Sequence, residues 1–275
     1  MNHESMSLAV QGVDFQLVIP TDSTNACHFR QVYQRNGQYE AVMGAILARL
    51  LGAMNRPVFA DLGAFIGYYT VYAAKLLGGR GEVFAVESNP AYVDTIKAAL
   101  ELNRIDNARV FHAALSDREE VLWAQGTTLH DGSKSRDAAF QATPEHQTKR
   151  PSGTPGSEAE PVPVHTITMD RFCAQQGLVP AIAKMDVHGT EGKILGGMGE
   201  ILRGPLQFLL LELHQNVYLR EYSPGISRMN ILDTLDEAGF RCYLVAGHRY
   251  TWSDGLKVFM DTGHFAYQQL TRETR

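Results

Sequence analysis

Val58-Phe-Ala-Asp-Leu-Gly-Ala-Phe-Ile-Gly67 decides the reading of this 275-residue chain. An apolar run carries an acid, Asp61, into a turn with glycines at 63 and 67, and Tyr68 to Leu77 continues at helical length. A strand that ends in such a turn delivers a ligand to a helix N-terminus, because glycine adopts positive φ and admits a ligand close to the backbone. The spacing predicts a strand, a binding loop and a helix.

The ligand follows from what the loop has and lacks. No Gly-Lys-Ser/Thr is present, which excludes a triphosphate-binding loop. The dinucleotide pattern G-x-G-x-x-G is replaced by Asp61-x-Gly63-x-x-x-Gly67, which would set a carboxylate against a pyrophosphate. An acid suits a cation. S-adenosylmethionine carries a sulfonium and an ammonium and no phosphate, so its amino-acid half is expected over the open backbone at Gly63. The bland alternative is a strand-turn-helix that binds nothing.

Gly81 to Glu87 is a second apolar run ending in an acid, 26 residues beyond Asp61. That is near the roughly 20-residue separation at which an acid meets a ribose diol, so Glu87 is expected to hold the ribose. Tyr92 to Leu102 carries Val93, Ile96 and Leu100 at helical spacing, and the Asp106-Asn107 turn ends the unit. A third strand is expected over Arg109 to Leu115, with the small residues Ala113 and Ala114 and then Leu115 beside the adenine. Three such units in a row predict a doubly wound, mostly parallel sheet with helices on both faces and ligands at its carboxyl edge.

Composition sets bounds. A chain of this length with 44% hydrophobic residues buries one large α/β core. No run of about 18 apolar residues occurs, which argues against membrane insertion, and Met-Asn-His-Glu-Ser lacks the basic-then-apolar order of a signal peptide, so a cytoplasmic protein is expected. Cys27, Cys173 and Cys242 are too few and too scattered for a disulfide framework or a zinc cluster. A net charge of −5 offers no general attraction to nucleic acid.

Residues 1–56 read as an N-terminal cap on a methyl-transfer core over 57–275. Val13 to Ile19 is expected as a short strand, and Met43, Ile46, Leu47, Leu50, Leu51 and Met54 form an apolar stripe on a helix that packs on the sheet and stops before Pro57. Thr21 to Tyr39 between them is polar and is left without an element. Tyr39-Glu40 lies at the helix start, where an exposed edge over the cofactor is one reading and a favourable first-turn acid the preferred one. From about 125 to 163 the sequence turns to Ser, Thr, Gly, Pro and charges, which predicts a flexible insertion, disordered at 143–160, with His130 and Asp131 at a substrate entrance.

Chemistry is expected at the next two strand ends. Ile182 to Asp186 is a strand that turns at Gly189 into a helix carrying Ile194, Leu195, Met198, Ile201 and Leu202. Phe208 to His214 is a buried strand whose alternation sends Glu212 and His214 to one face. Asp186, His188, Glu212 and His214 therefore converge if the strands are neighbours. A carboxylate that fixes an imidazole suits removal of a hydroxyl proton, with His214 the preferred base and His188 second. A two-carboxylate, two-imidazole set could also bind a divalent metal, but no H-x-x-x-H or C-x-x-C spacing supports one, and none is assigned.

Val58 to Thr70, Glu87-Ser-Asn-Pro90, Ala113-Ala-Leu-Ser-Asp117, Lys184-Met-Asp-Val-His-Gly-Thr-Glu191 and Leu211-Glu-Leu-His214, in this order, resemble the FkbM-type family of S-adenosylmethionine-dependent methyltransferases, over about Gly37 to Phe240. The resemblance implies a Rossmann-like sheet of seven strands, one antiparallel, and O-methylation of a hydroxyl on a sugar, polyketide or other small metabolite. It implies cofactor contacts from Asp61, Gly63, Ala64, Phe65, Gly67, Tyr69 and Thr70, from Glu87, Ser88 and Asn89, from Ala113, Ala114 and Leu115, and from Asp186.

This chain departs from the family pattern at three places: Phe65 stands for Asn, Ser88 for Pro and His188 for Glu. Phe65 removes a polar contact to the methionine moiety, Ser88 is expected to loosen the turn after Glu87, and His188 exchanges a carboxylate for an imidazole near the reaction. A nucleobase methyltransferase would show a proline-aromatic motif where this chain reads Asp186-Val-His-Gly, so nucleic acid is not expected as partner. The non-catalytic alternative is a cofactor-binding or assembly protein that turns over no acceptor. Oligomeric state is left open.

Overall fold

The computed structural model describes residues 2–124, 162–245 and 256–261. The insertion expected at 125–163, with His130 and Asp131, lies almost wholly outside the described residues.

A hairpin of β1 (His3–Val10) and β2 (Val13–Pro20) precedes α1 (Thr24–Asn36), α2 (Ala41–Ala53) and β3 (Val58–Leu62). Helices and strands then alternate through α3 (Tyr68–Leu77), β4 (Glu82–Glu87), α4 (Pro90–Leu102) and β5 (Ala108–His112). The short strands β6 (Ala114–Leu115), β7 (Val121–Ala124) and β8 (Val162–Ile167) lead to α5 (Met169–Gln176) and β9 (Ile182–Met185). The chain continues through α6 (Glu191–Gly196), α7 (Gly199–Arg203), β10 (Phe208–Leu213), α8 (Asn216–Tyr222), α9 (Arg228–Glu237), β11 (Arg241–Leu244) and β12 (Leu256–Asp261).

Seven strands form the main sheet in the order β11-β12-β10-β9-β3-β4-β5. The five from β10 to β5 are parallel neighbours, and β12 runs antiparallel to both of its neighbours, as expected. Two apolar cores fill the faces. One joins the hairpin and α1 to α4, with Leu17, Ile19, Leu47 and Tyr72 inaccessible; the other joins α5 to α9, with Met169, Met198 and Leu209 inaccessible. Helices on both faces of a parallel sheet require near-continuous apolar strands, which β3, β9 and β10 supply. The carboxyl ends of β3, β4, β9 and β10 are thereby fixed side by side.

Several expectations need correction. Thr21 to Tyr39 is not irregular: Ser23 accepts a hydrogen bond from the Ala26 N–H and starts α1, whose buried Ala26, Phe29 and Tyr33 form one apolar stripe. The expected strand at Val13 to Ile19 has a partner, β1. Helix α2 packs chiefly on α3, where the Tyr72 hydroxyl lies 3.5 Å from the Gly44 carbonyl. The expected third strand breaks at Ala113, because Ala114 and Leu115 leave the main sheet to pair with Thr166 and Ile167. The helix after Gly189 is split into α6 and α7 at Gly197, where a Cβ would lie 2.2 Å from the Ser116 carbonyl oxygen. Among the described residues no helix is long and apolar enough to cross a membrane.

Candidate active site

The parallel register sets Asp61 of β3 beside Lys184 of β9. Asp61 is 1% exposed; its Oδ2 accepts the Thr70 hydroxyl at 2.6 Å, and its Oδ1 has no hydrogen-bond partner among the described residues. Burial pushes the Asp61 carboxyl up, against the opposing pull of Lys184 and Thr70. Lys184 Nζ lies 3.2 Å from Asp186 Oδ2 and 4.9 Å from the Tyr69 ring. Burial works against its charge, but Asp186, Asp61 and Glu40 outweigh it and raise its pKa. Tyr69 in turn donates to Glu40 Oε2 at 2.6 Å, so Glu40 is more than a helix-start acid. It makes no side-chain cap and sits at φ 44°.

Gly63 is required for two reasons. Its φ is +76°, and a Cβ there would stand 2.1 Å from the Asp186 carbonyl oxygen. The open space expected at this glycine is thus filled, on the side a Cβ would take, by the end of the neighbouring strand. Phe65 also has positive φ, 53°, and its N–H donates to Glu87 Oε2 at 2.8 Å while its ring meets Tyr92 at 4.7 Å.

Glu87 Oε1 accepts the Asn89 N–H at 2.8 Å and lies 3.4 Å from the Ser88 hydroxyl. Burial raises the Glu87 pKa although these donors favour the charged form. After Ser88, Asn89 caps α4 and Pro90 opens it. Ala113 donates its N–H to the Glu87 carbonyl at 3.1 Å, which keeps the third loop beside the second.

The four residues expected to converge do so. His188 Nδ1 and His214 Nε2 lie 3.7 and 3.9 Å from Asp186 Oδ1, and Glu212 Oε1 lies 3.9 Å from His214 Nε2. The two imidazole rings are 4.6 Å apart. His188 is brought there by a positive φ of 51°, an uncommon conformation for a residue with a side chain, followed by Gly189 at 106°. Asp186, His188 and His214 each present a ligating atom, all within 4.8 Å of one another. The expectation of no metal set rested on local spacing, whereas these ligands come from two strand ends.

Sequence reasoning missed the group behind His214. Glu191, in the first turn of α6, is inaccessible and places Oε1 2.5 Å from His214 Nδ1 while accepting the Gly189 N–H at 3.1 Å. Its position in the Lys184 to Glu191 block was a signal. Lys184 was missed as well, although a lysine within an apolar strand run marks a buried ion pair. Burial lowers the His214 pKa, but the bond to Glu191, its charge and that of Asp186 prevail and raise it. Arg228 holds the strand end, donating to the His214 and Leu213 carbonyls at 2.7 and 2.9 Å.

A mostly parallel sheet with one antiparallel strand, acids at successive carboxyl ends and glycine at the first turn define a Rossmann-like methyltransferase architecture. A family model described as the methyltransferase FkbM domain matches residues 61–242, more than half of the chain, and the protein belongs to that family. The match begins later than the expected Gly37.

Among curated proteins, the ribosomal protein L11 methyltransferase of Acetivibrio thermocellus is 42% identical over 60 residues, 22% of this chain and 18% of that protein. The match thus spans less than a fifth of that relative. Similar solved structures include the SAM-dependent methyltransferase from Agrobacterium tumefaciens, at 13% identity and TM-score 0.48 over 95% of this chain and 71% of that one. Another is the O-methyltransferase from Bacillus cereus in complex with SAH, at 11% identity and TM-score 0.45 over 85% and 87%.

Proposed function

We propose that this protein is an S-adenosylmethionine-dependent O-methyltransferase acting on a hydroxyl of a small metabolite, sugar or polyketide-like acceptor. Family membership supports the reaction class, and the fit of the cofactor rests on Asp61. Its buried Oδ1, unpartnered among the described residues, suits an ammonium donor, and Glu87 at the next strand end suits a ribose diol. When bound, the cofactor supplies an electrophilic methyl on a sulfonium, which leaves as a neutral thioether when an oxygen takes the methyl.

The protein's part is to place the acceptor and take its proton. Glu191 accepts from His214 Nδ1, which fixes the tautomer and leaves Nε2, on the Asp186 side, to receive the hydroxyl proton. The buried carboxylate behind the ring then stabilises the imidazolium. The observation that carries this reading is the Glu191–His214 pair at the same sheet edge as Asp61 and Glu87. Asp186 stands between the two groups, with Oδ2 toward Lys184 and Oδ1 toward the imidazoles.

A second reading, cofactor binding without acceptor turnover, draws on Phe65 and His188, which stand where the family pattern has Asn and Glu. Calorimetry with S-adenosylmethionine and S-adenosylhomocysteine, followed by transfer assays on hydroxylated small molecules, separates the two. Binding with transfer supports the enzyme, binding without transfer supports the second reading, and no binding to either refutes both.

A further inference from the structure

We infer that Asp186, His188 and His214 form a binding site for a divalent first-row transition ion, which holds the acceptor's hydroxyl at the sheet edge. The use of the ion rests on the methyltransferase reading; its binding does not.

The donor set is the first ground. Two imidazoles and a carboxylate suit zinc, manganese, iron or cobalt, whereas magnesium and calcium take oxygen ligands. The spacing is the second. Two bonds of about 2.1 Å at a tetrahedral angle separate their ligands by about 3.4 Å. His188 Nδ1 and His214 Nε2 stand 3.7 and 3.9 Å from Asp186 Oδ1, so small rotations of side chains close the set. Glu212 Oε1, 3.9 Å from His214 Nε2, is within reach as a further ligand.

The surroundings are the third. Ligating histidines commonly donate their other ring nitrogen to a carboxylate, which orients the ring and raises its basicity. Glu191 does this for His214 from a fully buried position. Asp186, Glu191 and Glu212 surround the two imidazoles, so a bound cation would be held among carboxylates. His188 holds a positive φ to point its ring at the cluster, and strain of that kind concentrates at ligand-binding positions. Its side chain is 60% exposed, so the cluster is open to an incoming ion.

An ion on His214 Nε2 and a proton on the same atom exclude each other. In the ion-bound form the acceptor hydroxyl is polarised by the ion and its proton passes to solvent; in the ion-free form His214 takes it. No other atom of the transfer changes place.

The test uses the full chain stripped with chelator. Titration with Co2+, followed by its visible absorption, is expected to saturate at one ion per chain, and calorimetry to show Zn2+ binding and weaker Mg2+ binding. His188→Ala, at an exposed position that leaves the fold intact by circular dichroism, is expected to weaken Co2+ about tenfold or more. His188→Glu is expected to shift preference toward Mg2+. Absent Co2+ bands, or equal affinity in His188→Ala, would overturn the site. The same preparation is titrated with S-adenosylhomocysteine. Its binding without Co2+ binding sinks the metal site and spares the methyltransferase, whereas Co2+ binding without it keeps the site and sinks the enzyme reading.

Discussion

Glu191 Oε1 and His214 Nδ1 meet at 2.5 Å across the junction of α6 and β10, with the side chains 0% and 3% exposed. A buried carboxylate is costly to remove from water unless it is paired, so the contact binds the two elements as well as orienting the ring. Glu191→Gln keeps the shape and removes the charge. It is expected to lower turnover about 10- to 100-fold, whereas Glu191→Ala also costs about 3 kcal/mol of stability in urea. Full activity of the glutamine variant would remove Glu191 from the mechanism.

Asp61→Asn tests the cofactor loop. Burial already works against ionisation of this carboxyl, so the neutral amide should be tolerated by the fold. Affinity for S-adenosylmethionine is expected to fall tenfold or more, about 1.4 kcal/mol, in calorimetry. An unchanged Kd would move the ammonium-binding role elsewhere.

The raised pKa of His214 gives a sign to the pH dependence of folding in the ion-free protein. Burial favours the neutral ring but is outweighed by Glu191 and Asp186, so the folded value exceeds the ordinary 6.5. The native state then holds the proton more tightly than the unfolded chain. The resulting stability is fully present below 6.5 and is lost as pH rises through the folded value. His214→Gln should remove this slope. Parallel urea midpoints for the two proteins across that range would contradict the assignment.

Gly63→Ala and Gly12→Ala separate two costs. Both glycines have φ near +76°, but a Cβ at Gly12 meets nothing within 4 Å, whereas at Gly63 it meets the Asp186 carbonyl oxygen at 2.1 Å. Gly12→Ala is expected to cost about 1–2 kcal/mol from φ alone. Gly63→Ala should cost more than that, and equal losses in urea would show that the strand ends do not need their close approach.

The parallel sheet was legible in the sequence because the β3, β4 and β9 runs each reach an acid at the strand end, and the order of the runs predicts neighbours. The clustering followed from period-two alternation for Glu212 and His214 and from a neighbouring strand end for Asp186. What escaped was set by partners distant in sequence. Helix α1 was hidden by its polar composition, although Ser23, Ala26, Phe29 and Tyr33 carry a cap and a stripe. The break at Ala113 depends on Thr166, the split at Gly197 on Ser116, and the contact of Glu191 with His214 on the angle between a helix and a strand. None of these is periodic in the chain itself.

The two oxygens of Asp186 look in different directions, Oδ2 to the Lys184 ammonium and Oδ1 to the two imidazoles. On the proposed function, one carboxylate is shared by the half that takes the cofactor and the half that takes the acceptor. Whatever draws its charge toward one neighbour leaves less for the other, so filling either half must alter the affinity of the other by the same factor. The coupling between cofactor and acceptor would then lie in a single side chain, with no moving lid required to carry it.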